Sequence, residues 1–124
     1  MPIMTVTTLT GKSLEDKQKL ARDLTDCIQE LLQRPRHIIR VIFREVPPES
    51  YAVAGEFLDP TSPDESRRDD TILRISFMVG RTPEQKKELI QHLLQVLYNN
   101  PAFSKAAIRI IIEETPGENF YRSR

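Results

Sequence analysis

The chain is poor in the residues that metal and redox chemistry depend on. Its 124 residues include one cysteine, Cys27, and two histidines, His37 and His92. A single cysteine excludes an intrachain disulfide and any cysteine-rich metal site, and Cys27 falls inside a helical apolar pattern, where a small core residue is expected rather than a nucleophile. The histidines are too few and too far apart to point to a metal site and read as surface or packing residues. An excess of one charge is also missing. The 18 basic and 18 acidic residues cancel, so nothing in the total favours nucleic acid or an anionic membrane. No apolar run approaches a bilayer span, and the N-terminus lacks the basic-then-apolar layout of a secretory signal. The expectation is a soluble, cytoplasmic chain of one domain with a modest core.

What is present begins at the first residues. Met1-Pro2-Ile3-Met4-Thr5-Val6 is strand-like, with a proline directly behind the methionine. In mid-chain a proline has no N–H and fixes its backbone. Once Met1 is removed, Pro2 is a secondary amine at the chain terminus, a titratable group that can exchange a proton with a substrate.

From there the chain reads as an element series that occurs twice. Ile3 to Leu9 is β-branched and ends at Gly11, which predicts a strand and a turn. Ser13 to Asp16 resembles a helix cap, Leu20, Leu24, Ile28 and Leu31 follow at helical spacing, and Pro35 places the helix end near Gln33. Ile38 to Arg44 alternates like a second strand, Pro47 to Ser50 like a turn, and Tyr51 to Phe57 like a short hairpin arm. Residues 58–70, with two prolines and many charges, read as a linker between a first unit over 1–57 and a second over 71–124. From Thr71 the series restarts: strand, Gly80, a capped helix opening at Thr82-Pro83, a stop at Asn99-Asn100-Pro101, and a strand over Ile108 to Ile112.

The halves align without a gap. Gly11 falls on Gly80, Lys12 on Arg81, Lys17 on Lys86, Arg40 on Arg109, Glu45 on Glu114, and Tyr51 on Phe120. Such agreement marks a duplicated unit. Each strand-helix-strand crossover makes its two strands parallel. The fold class expected is α+β: two tandem β-α-β units forming a four-stranded sheet, both helices on one face. The uncovered face is expected to be apolar and buried against other subunits.

Several polar positions stand out against this frame. Arg40 and Arg109 lie between apolar neighbours on strands, where a long cation needs an anion or a cavity; Glu45 or Glu114 would serve as plain structural partners. Lys12 and Arg81 follow the turn glycine just before a helix N-terminus, where the helix dipole disfavours a cation. A negative ligand at that corner would account for them.

The Pro2-Ile3 start, the Gly11-Lys12-Ser13 and Gly80-Arg81-Thr82 turns, the repeated Arg40-Val41-Ile42 and Arg109-Ile110-Ile111, and the Tyr51 and Phe120 regions together resemble the tautomerase superfamily, in its 4-oxalocrotonate tautomerase branch. Double-length, head-to-tail fused chains of that branch assemble as trimers, and this sequence resembles the fused kind. The resemblance implies a cofactor-free, metal-free isomerase with Pro2 as proton-shuttling base. It implies that Arg81 grips a substrate carboxylate, that Arg40 and Arg109 stand at the carbonyl and carboxylate end, and that Tyr51 and Phe120 form an aromatic wall, with Lys12 replacing the turn arginine in the first half. The implied substrate is a small unsaturated 2-hydroxy or 2-keto acid of the 2-hydroxymuconate type, and the implied partner is the homotrimer. Thr71 stands where a second catalytic proline would be, so one proline site per chain is expected. Hydration or dehalogenation of an acrylate by the same proline is the enzymatic alternative, for which Glu114 and Glu118 are weak candidate acids. A non-catalytic trimeric small-molecule-binding module is the other.

Overall fold

In the computed structural model, which describes residues 1–123, β1 (Ile3–Leu9) leads through Gly11 into α1 (Leu14–Leu32). Ser13 caps that helix by accepting from the Asp16 N–H, so one orphan donor of the first turn is satisfied. Gln33 ends it in the left-handed conformation with φ of 50°, and Pro35 blocks any continuation. A short 3-10 turn over Arg36–Ile38 follows, so β2 begins at Arg40 rather than Ile38 and runs to Val46. The reason is local: the Ile38 and Ile39 N–H groups turn back onto the Pro35 and Arg36 carbonyls and cannot join a ladder.

Two two-residue strands, β3 (Ala52–Val53) and β4 (Glu56–Phe57), form the hairpin arm. The charged stretch after it is ordered rather than loose. Arg67 donates to the Val53 and Glu56 carbonyls, Arg68 donates to those of Ser62 and Pro63, and Leu58 is buried. Arginine forks satisfy backbone acceptors here that would otherwise face water.

The second unit repeats the first: β5 (Asp70–Met78), α2 (Pro83–Tyr98) and β6 (Ala107–Thr115). Thr82 and Gln85 close a reciprocal capping box at the start of α2. The sheet order is β2-β1-β5-β6, with β1 parallel to β2, β5 parallel to β6 and the two central strands antiparallel. The duplication holds to the register. Ile3 faces Arg40 as Ile72 faces Arg109, and the Lys17–Glu45 ion pair recurs as Lys86–Glu114. Glu45 and Glu114 are therefore engaged by helix lysines, not by the strand arginines.

Both helices pack on one sheet face. Leu20, Leu24, Ile28, Leu89, Leu93 and Leu97 meet Met4, Val6, Leu73, Ile75 and Phe77 in one buried cluster. The opposite face is not the apolar surface that the strand runs predicted. Ile3, Ile42, Ile72 and Ile111 share it with Thr5, Thr7, Arg44, Arg74 and Ser76, and Arg74 and Glu113 form an ion pair of 2.8 Å across it. Strict alternation puts the apolar half of each strand under the helices and leaves a mixed remainder outside.

One defect inside the core carries a prediction. Thr8 and Thr71 face each other across β1 and β5, both fully buried, and neither hydroxyl finds a partner among the described residues. An unpaired buried hydroxyl costs about 1–3 kcal/mol, while valine keeps the shape. Thr8→Val is expected to raise stability by roughly 1 kcal/mol, seen as a higher urea midpoint at unchanged slope. A lower midpoint would show that the hydroxyl is satisfied.

Candidate active site

Pro2 directly precedes the central strand β1, at the sheet end where the β5-to-α2 turn arrives. Its side chain is buried, and its carbonyl accepts the Arg40 N–H at 3.2 Å, which fixes the start of the parallel ladder. Parallel pairing of β1 with β2 brings Arg40 to this end, and antiparallel pairing of β1 with β5 brings the Met78-Val79-Gly80-Arg81 turn to the same end. Gly80 takes φ of 126°, a value that few other residues tolerate, and so turns the chain toward Arg81.

Two cavities open on either side of the N-terminal residue. The first, about 330 Å³, is lined by Met1, Pro2, Leu32, Arg34, Gly80, Arg81 and Gln85 among others. Arg81 is half-buried there and steadied by donating Nη2–H to the Leu32 carbonyl at 2.9 Å, so α1 fixes its position. The second, about 280 Å³, is lined by Met1, His37, Arg40, Phe120, Tyr121 and Arg122 among others. Arg40 is oriented by donating to the His37 carbonyl at 2.7 Å. Of the residues singled out from sequence, Pro2, Arg81, Arg40 and Phe120 thus gather around one chain terminus.

The electrostatics favour a free amine. The Met1 amino group is held below its ordinary value first by burial, then by the positive charges of Arg34, Arg122 and Arg40. The Pro2 nitrogen lies one residue further along the chain. Arg34 and Arg122 were not singled out from sequence. The repeat conceals Arg34, whose counterpart is the apolar Phe103, and Arg122 lies beyond the last predicted strand. Pro35 marks the helix end beside Arg34, but the closeness of that end to Pro2 comes only from the fold.

The remaining expected residues lie at the opposite end of the sheet in the same chain. Arg109 donates to Asp70 at 3.1 Å, and the Tyr51 hydroxyl also donates to Asp70; burial first, and then that hydrogen bond, raise the phenol far above its normal range. Lys12 pairs with Asp69, donates to the Ala102 carbonyl at 2.7 Å and lies over the Phe103 ring. Pro2 and these three do not meet within one chain. Glu114 is held by Lys86 at 2.7 Å, and Glu118 lies in a 3-10 turn. Burial lifts the Cys27 thiol to about 11, with Glu30 adding to the shift, so it remains a thiol at neutral pH. His92 Nδ1 lies 2.9 Å from the Glu88 carbonyl of its own helix. No group of three potential metal ligands occurs among the described residues, and none of their helices is long and apolar enough to cross a membrane.

Comparison with known proteins points one way. A family described as tautomerase enzyme matches residues 2–59, and a second family with the same description matches residues 42–121. A probable tautomerase of Ralstonia nicotianae is 40% identical over 55 residues, covering 44% of this chain and 79% of that protein. Among solved structures, a wild-type fused 4-OT described as an asymmetric trimer superposes with a TM-score of 0.80 at 22% identity, covering 98% of this chain and 92% of that one. A protein inactivated by 2-oxo-3-pentynoate superposes with a TM-score of 0.82 at 23% identity, covering 98% and 91%. At such identities the structural likeness establishes the fold.

Proposed function

The chain belongs to the tautomerase family, and from that premise we propose that it catalyses cofactor-independent keto–enol tautomerisation of an unsaturated 2-hydroxy or 2-keto acid, with the Pro2 nitrogen carrying the proton. The observation that carries this reading is that Pro2 lines the cavity of Arg34 and Arg81 while Met1, directly ahead of it, also borders the cavity of Arg40, both of a size for a small acid. With Met1 gone, the secondary amine faces the space that Met1 borders on both sides.

The chemistry follows from charge. The free amine takes a proton from the 2-hydroxyl of a dienol, electrons move along the conjugated chain to form the 2-keto group, and the ammonium returns the proton to a carbon. Charge shifts toward oxygen and carboxylate, where guanidinium forks bind it. Arg81 holds one carboxylate, and Arg40 stands at the carbonyl end with Phe120 excluding water. Arg109 and Tyr51 are remote within the chain, so any part they take belongs to a neighbouring subunit's site. We assign a homotrimer on the likeness to the fused 4-OT trimer and on exposed Tyr121, Phe57 and Ile42, which a monomer would leave in water. Light scattering should return three chain masses.

The test is an assay of Met-processed protein with 2-hydroxymuconate across pH. A base must be unprotonated, and the burial and arginines that lower the Met1 amine surround the same corner, so kcat/KM should rise with pH to a plateau as the Pro2 amine loses its proton. Arg34→Gln removes the largest contributing charge and should move that limb to higher pH. No turnover from fully processed protein would end the proposal, and an unmoved limb would remove Arg34 from it.

A further inference from the structure

The duplicated halves carry two copies of the corner that holds Arg81, and the copies have met different fates. At the Pro2 end, the turn Met78 to Arg81 borders an open cavity. At the other end, the matching turn Leu9 to Lys12 borders a cavity of similar size, about 320 Å³, whose remaining wall is Pro60, Arg68 and Asp69 from the segment joining the halves. The strand arginine has its counterpart there in Arg109, and Phe120 has its counterpart in Tyr51. Met1, which borders both cavities of the first corner, is matched by Asp70.

We propose that the second corner is an anion site already filled by the chain's own carboxylates: Asp69 on Lys12 and Asp70 on Arg109 and Tyr51 stand where a bound acid would. The inference rests on reading Arg81 and Arg40 as carboxylate-binding at the first corner. Three features support it. Asp70 is 5% exposed, so it is a buried carboxylate held by a guanidinium and a phenol. Lys12 directs its ammonium at Asp69 and the Ala102 carbonyl instead of at solvent. The Asp70 N–H donates to the Asp69 side chain at 2.9 Å, which locks the two carboxylates in one geometry.

The physical logic lies in the carboxylates. Asp70 is buried and reached by Arg109 from a side chain that is 61% exposed, while Lys12 and Asp69 pair with little of either side chain in water, so two adjacent aspartates neutralise the cations inherited with the duplicated fold without a ligand. The consequence is that the chain presents one open acid-binding corner instead of two, and that the joining segment is anchored by the charges it neutralises. Taking both carboxylates away should expose a second site for a small carboxylate.

Isothermal titration with fumarate on the assembled, Met-processed protein tests this. The wild type is expected to bind one fumarate per chain, lost in Arg81→Ala. Asp69→Ala/Asp70→Ala should bind a second, lost again when Lys12→Met is added, and fumarate should raise its melting temperature more than that of the wild type. If the double alanine variant does not fold, Asp70→Asn, which keeps the shape and hydrogen-bonding capacity of the side chain, should still add fumarate binding that the wild type lacks. A folded variant with no added binding, or a wild type that already binds two, overturns the proposal. Added binding in the variant with none in the wild type would uphold it while removing the carboxylate role from Arg81.

Discussion

A form of the chain that keeps one unprocessed residue ahead of Pro2 is expected to lose roughly 10²–10⁴-fold in kcat/KM for ketonisation of 2-hydroxymuconate. Acylation turns the secondary amine into an amide, which has no basicity at any accessible pH. The extra residue also fills space, since Met1 borders both cavities beside Pro2. Pro2→Ala separates these effects. It retains a terminal amine and opens space, so its loss should be smaller and should fall on kcat rather than KM. Steady-state kinetics on samples whose intact mass verifies the N-terminus decides the matter. Turnover within a few-fold of the processed protein would mean that another group moves the proton.

Loss of the Arg81 guanidinium is the second large effect. Its Nη2–H is committed to the Leu32 carbonyl, which anchors the fork against α1 while its other donors are left for an anion. A charge-assisted hydrogen bond contributes about 1.5–3 kcal/mol, so Arg81→Gln should lower kcat/KM by about 10²-fold, chiefly through KM. Arg81→Lys keeps the charge but not the planar fork, and should recover only part of the loss. Equal kcat/KM for wild type and glutamine variant would show that the carboxylate binds elsewhere, with the Arg40 cavity the next place to look.

Much of this was legible in one dimension because the physics involved is local. Ser13 and Thr82 cap helices through atoms three residues away, Pro35 and Pro101 limit them sterically, and Leu20 to Ile28 recur at a spacing that only a helix brings to one side. Repetition did the rest. A gap-free match of Arg40 with Arg109 and of Lys12 with Arg81 marked the polar positions worth weighing, and a family resemblance attached roles to them.

Other features depend on distance through space. Arg34 has no charged repeat counterpart, and nothing near it in the chain shows that the end of α1 lies against the start of β1. The pairing of Lys12 with Asp69, and of Arg109 and Tyr51 with Asp70, sets apart two corners that look alike in sequence. The sequence alone determined the duplicated β-α-β frame and the proline behind its first methionine, since capping, periodicity and proline sterics act within a few residues. Only the tertiary structure decided which cations gather beside that proline and which are neutralised at the far end, because charges interact according to separation in space, and the antiparallel join of β1 to β5 sets those separations.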